Sequence, residues 1–127
     1  MKKGYWVVAY RSISDESAPK AYAELAVPAL RPFGARFLTM RSSKVYPQES
    51  GLQQGTVVVE FDSYETALAA YESEAYKKAL QALGSGAERD FRIVEGVWCI
   101  GRFVTIVVMQ YASGQICHPD NFSRMII

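Results

Sequence analysis

Between Tyr5 and Glu95 the chain passes twice through the order strand, helix, strand, and this doubled order narrows its folding more than any other property. In the first half, residues 5–11 read Tyr-Trp-Val-Val-Ala-Tyr-Arg, a β-branched and aromatic run that predicts a strand apolar on both faces. Ser12 to Glu16 read as a helix start. Ser14 is placed to accept from an orphan N–H, and Asp15 and Glu16 sit where the helix dipole favours negative charge. Ala18, Ala21, Tyr22, Leu25 and Ala29 recur at helical spacing and predict one buried face. Pro28 is expected to kink or shorten the last turns, and Gly34 to end the helix. Residues 35–41 predict a second strand, with Phe37 and Thr39 on one face and Arg36, Leu38 and Met40 on the other. A polar stretch over 42–55 is long enough to be a hairpin arm or a lid.

The second half repeats the scheme. Thr56 to Phe61, Thr-Val-Val-Val-Glu-Phe, is the clearest strand in the chain. Asp62 and Glu65 have the spacing of a capping box. The helix that follows presents Tyr64, Ala67, Leu68 and Tyr71, and it continues or restarts at Ser73 through Leu83, where Gly84 and Gly86 stop it. Residues 91–95 predict a fourth strand. Two β-α-β units in this order imply an α+β fold of the ferredoxin-like split type, with a four-stranded antiparallel sheet covered by helices on one face. Val57, Val58, Val59 and Phe61 supply apolar side chains to both faces, so the other face also needs a cover. A second sheet in a homodimer provides one, and the chain's own tail is the competing solution.

Composition sets limits on function. The 127 residues suit one domain, and a 50% hydrophobic, 21% charged composition excludes a disordered chain. Fourteen basic residues against thirteen acidic ones leave a net charge of +1, which offers no field for a nucleic acid. No apolar run reaches the roughly 20 residues of a membrane span, and the N-terminus does not read as a signal peptide, so a cytoplasmic protein is expected. Residues 1–98 contain neither His nor Cys, which excludes from them a Cys nucleophile, a His-based triad and a His/Cys zinc site. Cys99 and Cys117 read as free thiols, and His118 beside Cys117 is too little for a metal site. No metal and no cofactor are expected. Residues 1–97 are expected to form the domain and 98–127 a C-terminal extension, with an extra strand or an irregular segment over 102–110.

Six short motifs in a fixed order carry a family resemblance. They are Gly4-Tyr5-Trp6, Ala21-Tyr22-Ala23, Gly34-Ala35-Arg36-Phe37-Leu38, Val58-Val59-Glu60-Phe61-Asp62-Ser63, Tyr71-Glu72-Ser73-Glu74-Ala75-Tyr76 and Val94-Glu95-Gly96-Val97. Together, over residues 4–97, they resemble the family called domain of unknown function 1330, in the dimeric α/β-barrel superfamily. The resemblance implies a homodimer joined through its sheet faces and a small-molecule pocket between sheet and helices. The superfamily includes cofactor-free monooxygenases, lactone isomerases, polyketide cyclases and haem-using enzymes, so the fold alone does not choose among them.

That pocket directs attention to polar groups on apolar elements. Arg36, inside an apolar strand, either binds a carboxylate or enolate or pairs with Glu60 across strands. Glu60 is either a general base or the partner in that pair. Tyr71, Tyr22 and Tyr76 either donate to a substrate oxygen or pack in the core with one satisfied hydroxyl. Tyr5 and Trp6 either wall an aromatic pocket or fill the dimer core. The expected function is a cofactor-independent enzyme of isomerase, cyclase or monooxygenase type, with Arg36, Glu60 and Tyr71 as its catalytic residues and Tyr5, Trp6, Tyr22 and Tyr76 binding the substrate. That substrate would be a small, partly apolar, carbonyl-bearing metabolite. The alternative is a small-molecule-binding dimer without catalysis.

Overall fold

The computed structural model describes residues 2–98. The elements are β1 (Lys2–Ile13), α1 (Ser17–Leu30) with a 3-10 turn at Arg31–Phe33, β2 (Arg36–Phe37), β3 (Thr56–Phe61), α2 (Tyr64–Glu72), α3 (Glu74–Leu83) and β4 (Ala87–Trp98). They build one antiparallel sheet in the order β2-β3-β1-β4. Each β-α-β unit is split, since β3 lies between β1 and β2, and β1 lies between β3 and β4. This is the ferredoxin-like α+β arrangement. The candidate strand at 102–110 and the two cysteines lie outside the described residues.

Register sorts the side chains into two faces. Trp6 pairs with Val59 and with Ile93, and Phe37 pairs with Val59, so Phe37, Val59, Trp6 and Ile93 form one row toward the helices. One residue along, Arg36, Glu60, Tyr5 and Val94 form a row on the opposite, outer face. Trp6 is the centre of the core at 1% exposure. Its ring lies 5.1 Å from Phe61, 5.0 Å from Tyr76, 5.0 Å from Phe91 and 6.0 Å from Tyr71. Its Nε1–H donates to the Ala67 carbonyl of α2 at 3.0 Å. Small buried residues (Ala18, Ala26, Ala67, Ala70, Ala79) let the helices approach one another and the sheet.

The local readings need several corrections. Ser14 does not cap α1: β1 runs on to Ile13, and Ser14 Oγ donates to the Ser85 carbonyl instead. The N-cap position falls on Glu16, whose side chain makes no capping bond; Asp15 just before it serves the first helical residue instead, its Oδ1 accepting from the Ser17 N–H at 3.0 Å and the Ser17 hydroxyl at 2.7 Å. Those two bonds hold the Asp15 carboxyl below the usual carboxylate range. The buried face of α1 is Ala18, Pro19, Ala26, Ala29 and Leu30, while Ala21 is exposed and Leu25 is 45% exposed. Pro28 lies on an exposed face inside the helix, which runs past it to Leu30. Gly34 does end the segment, in a left-handed conformation (φ 72°) with its N–H donating to the Arg31 carbonyl.

The second strand is two residues long rather than seven. After Phe37 the N–H groups of Leu38 and Thr39 both point at the Val58 carbonyl, at 2.8 and 3.4 Å, in a bulge-like irregularity. Thr39 Oγ1 then stands in for backbone, accepting the Val58 N–H and donating to the Thr56 carbonyl, each at 2.8 Å. The expected alternation is lost there, and Met40 turns to the helix side with Phe37 and Thr39. The α2 cap is Ser63 rather than Asp62; its Oγ accepts the Thr66 N–H at 3.0 Å. Ser73 separates α2 from α3, its extended backbone (ψ 149°) breaking the helix and its Oγ accepting the Tyr76 N–H. The last strand begins at Ala87, four residues before the expected start.

Candidate functional site

On the helix side of the sheet, a cleft of about 210 Å³ opens between α1, the strand centres and the segment after β2. Trp6, Val8, Val59 and Leu30 wall it with apolar surface; Tyr10, Tyr22, Thr39, Arg41 and Arg89 bring the polar groups. Among the described residues its lining has no carboxylate. Of its two cations, Arg41 follows β2 and Arg89 comes from β4. Register places Arg89 opposite Tyr10 on the helix face, and its guanidinium stacks 4.6 Å from the Tyr22 ring centre, 5.2 Å from Phe91 and 5.6 Å from Tyr10. No carboxylate among the described residues lies within ion-pair distance of Arg89.

Above Arg89 the hydroxyls of Tyr22 and Tyr76 meet at 2.6 Å, with the rings edge-on at 5.9 Å. Tyr76 is fully buried; Tyr22 is half-buried and borders the cleft. Burial pushes the Tyr76 phenol far above the ordinary tyrosine range, and the adjacent Tyr22 hydroxyl adds to the effect. Burial likewise raises Tyr10. Both groups bind their proton more tightly folded than unfolded, where a phenol titrates near pH 10. Their contribution to stability is therefore present below about pH 10 and is lost as pH rises beyond it. The urea midpoint is expected to hold between pH 8 and 9.5 and to fall above about pH 10, with a shallower fall in Tyr76→Phe. A midpoint that is flat to pH 11 in the unchanged chain would contradict the burial of these phenols.

The residues singled out from the sequence divide between the two faces. Trp6, Tyr22, Tyr71 and Tyr76 come together under the helices; Tyr71 lies 5.4 Å from Tyr76. Arg36, Glu60 and Tyr5 come together on the outer face. Arg36 Nε donates to Glu60 Oε1 at 2.7 Å, its NH2 group sits 3.0 Å from Asp62, and the Tyr5 hydroxyl donates to Glu60 Oε2 at 3.1 Å. The Glu60 bond, with Asp62 behind it, holds the Arg36 guanidinium above its ordinary pKa. Arg36 and Glu60 thus pair with each other across strands and do not reach Tyr71 in the same chain. Arg36 is exposed, so the pair is worth no more than about 1 kcal/mol.

Sequence reading missed Arg89, Tyr10 and Arg41. The signal for Arg89 was present: Ala87, Arg89, Phe91 and Ile93 alternate toward the helices, but Glu88-Arg89-Asp90 reads as a charged loop unless β4 is begun at Ala87. Among the described residues no group of three His, Cys, Asp or Glu is placed to hold a metal ion. No described helix is long and apolar enough to cross a membrane.

Against this geometry, the sequence model of the family described as Domain of unknown function (DUF1330) matches residues 3–97. No curated protein matches the chain. Among solved structures, a protein of unknown function from Rhodopseudomonas palustris aligns with TM-score 0.55 at 12% identity, covering 76% of this chain and 83% of its own. A dimeric protein of unknown function with a ferredoxin-like fold, from Bacteroides fragilis, aligns with TM-score 0.44 at 14% identity, covering 74% and 95%. A provisionally named antibiotic biosynthesis monooxygenase from Nitrosomonas europaea gives 0.45 at 14%, covering 75% and 91%. At such identities the likeness is one of fold.

Proposed function

The chain belongs to the DUF1330 family, and on that footing we propose that it binds a small, partly apolar, carbonyl-bearing metabolite in the cleft between α1 and the sheet. One observation carries this reading: Arg89 stands in an apolar cleft among three aromatic rings, with no carboxylate among the described residues to neutralise it. A half-buried cation with no counter-charge among the described residues is a ready partner for a ligand oxygen. Arg89 takes the anion-holding role that the sequence suggested for Arg36, and Trp6 and Tyr22 line the ligand's apolar and polar sides.

The test is affinity capture of metabolites. Native protein is incubated with a small-molecule extract of its source cells, desalted and denatured, and the released compounds are weighed by mass spectrometry beside a pre-denatured control. A small carbonyl-bearing compound should be enriched by native protein, reduced by about tenfold or more in Arg89→Met, and recovered in part by Arg89→Lys. Enrichment that is equal in Arg89→Met and the unchanged chain would remove the cleft from the reading.

A second reading, cofactor-independent catalysis of isomerase, cyclase or monooxygenase type, is favoured by the donors Tyr22 and Arg89, which would stabilise an enolate more than its keto form. Its signature in the same experiment is a metabolite that is consumed while a new mass accumulates beyond one equivalent of protein. Glu60 as base, with Arg36 and Tyr71, belongs to this reading only if a partner chain completes the site. The homodimer itself is proposed through the outer sheet face in the cytoplasm, supported by the half-exposed apolar row of Tyr5, Val7, Val58 and Val94. Val58→Lys is expected to halve the mass measured by light scattering; an unchanged mass would move the interface elsewhere.

A further inference from the structure

The Tyr22–Tyr76 contact has a direction that the surroundings decide. The two phenols own two hydrogens and stand 2.6 Å apart, so one hydrogen lies between the oxygens and the other must go elsewhere. Arg89, which couples electrostatically to both hydroxyls, has only donors and accepts nothing. If Tyr22 donated to Tyr76, the Tyr76 hydrogen would be left in a fully buried place, with no acceptor among the described residues. Such an orphan is costly and rare. If Tyr76 donates to Tyr22, the leftover hydrogen belongs to Tyr22, whose side chain borders the cleft. The second arrangement satisfies every buried group. The tightly held proton of Tyr76 agrees with it, because Tyr76 remains a donor throughout the neutral range.

The cleft therefore presents a phenol O–H beside guanidinium N–H groups, and among the described residues its lining holds no carboxylate; the Thr39 hydroxyl is committed to the backbone of β3, and the Tyr10 hydroxyl brings a hydrogen of its own. We infer that the head group of the ligand is acceptor-only, a deprotonated carboxylate, and that Tyr22 selects it against the neutral amide of the same shape. An amide carries two N–H hydrogens where the site already supplies hydrogens from two sides, so one donor would face another. Tyr76 is a positioning residue here: it touches no ligand, fixes which way Tyr22 donates, and polarises that O–H through the shared bond. The inference rests on the cleft being the ligand site, as proposed above.

The probes are matched pairs of fixed shape: benzoate with benzamide, and hexanoate with hexanamide. Binding is read from the fluorescence of Trp6, which lines the cleft, with Trp98→Phe in all proteins to leave Trp6 as the reporter. Both carboxylates should bind about tenfold or more tightly than their amides. Tyr22→Phe should lower carboxylate affinity by about tenfold and leave the amides where they were, closing most of the gap. Tyr76→Phe should lower carboxylate affinity by a smaller factor in the same direction, and Arg89→Lys should keep the order of each pair. Circular dichroism and urea midpoints establish that each variant is folded. Amides binding as tightly as carboxylates, or Tyr22→Phe weakening both members equally, would overturn the head-group assignment while leaving the cleft as a binding site. No response from any probe in the unchanged chain, at concentrations up to the solubility limit, would overturn the assignment together with the cleft reading beneath it.

Discussion

Trp6→Ala is expected to cost about 3–5 kcal/mol of folding stability, the range for removing a large buried aromatic side chain. Four aromatic rings stand within 6.0 Å of the indole, from β3, β4, α2 and α3, so no single element can relax into the space it leaves. The bond from Nε1 to the Ala67 carbonyl is lost as well. Against a total stability of about 5–15 kcal/mol for an ordinary domain, this loss brings the chain close to unfolding. Trp6→Phe keeps most of the apolar contact and gives up the hydrogen bond, and it should cost less than half as much. Urea melts followed by far-ultraviolet circular dichroism measure both. Equal losses in the two variants would mean that the hydrogen bond, rather than the packing, carries the indole's contribution.

Gly4→Ala is expected to destabilise by about 3 kcal/mol, the upper end of what one added methyl usually costs in a filled space. A Cβ at Gly4 would stand 2.5 Å from the Ser63 carbonyl oxygen and 2.7 Å from the Tyr64 Cα, and both are backbone atoms of the turn that opens α2. A side chain can rotate away, but this turn cannot, because Ser63 is committed to capping the helix through the Thr66 N–H. Either β1 moves off β3 or α2 moves off the sheet. A loss below about 0.5 kcal/mol would show that the turn yields more easily than its hydrogen bonds suggest.

How much of this was legible in the sequence depends on whether local chemistry or pairing decided the outcome. Thr56 to Phe61 was read to the residue, because five of its six residues favour strands and the run ends at a turn. At Ser73 the sequence left continuation and restart both open, and the structure takes the restart, the Ser73 hydroxyl serving a neighbour three residues on. The ferredoxin-like order followed from counting elements. Misreadings gathered where two local solutions competed. Ser14 and Asp15 both suit a helix start, and the pairing of Ile13 with Ala87 drew the strand past the point where Ser14 would have capped. β2 stopped at Phe37 because the Thr39 side chain took over its backbone bonds, which no alternation pattern reports.

The site was harder to read than the fold for a related reason. Glu60 and Arg36 attract attention because each interrupts an apolar run, and their shared register places them together on the outer face. Arg89 sits between two acidic residues and looks like surface, and only its pairing with Tyr10 turns it inward. This cleft-lining charge was thus hidden by its neighbours in sequence and revealed by its neighbour across the sheet.

The one-residue interruption at Ser73 has an effect on aim. Tyr71 and Tyr76 are five positions apart, and on an unbroken helix of 3.6 residues per turn they would diverge by roughly 140°. One would look at the sheet and the other toward its flank. With the helix cut between them, each half turns on its own axis, and both rings converge on the indole of Trp6 while touching each other at 5.4 Å. A single extended serine thus works as a swivel that brings two distant spokes to one hub.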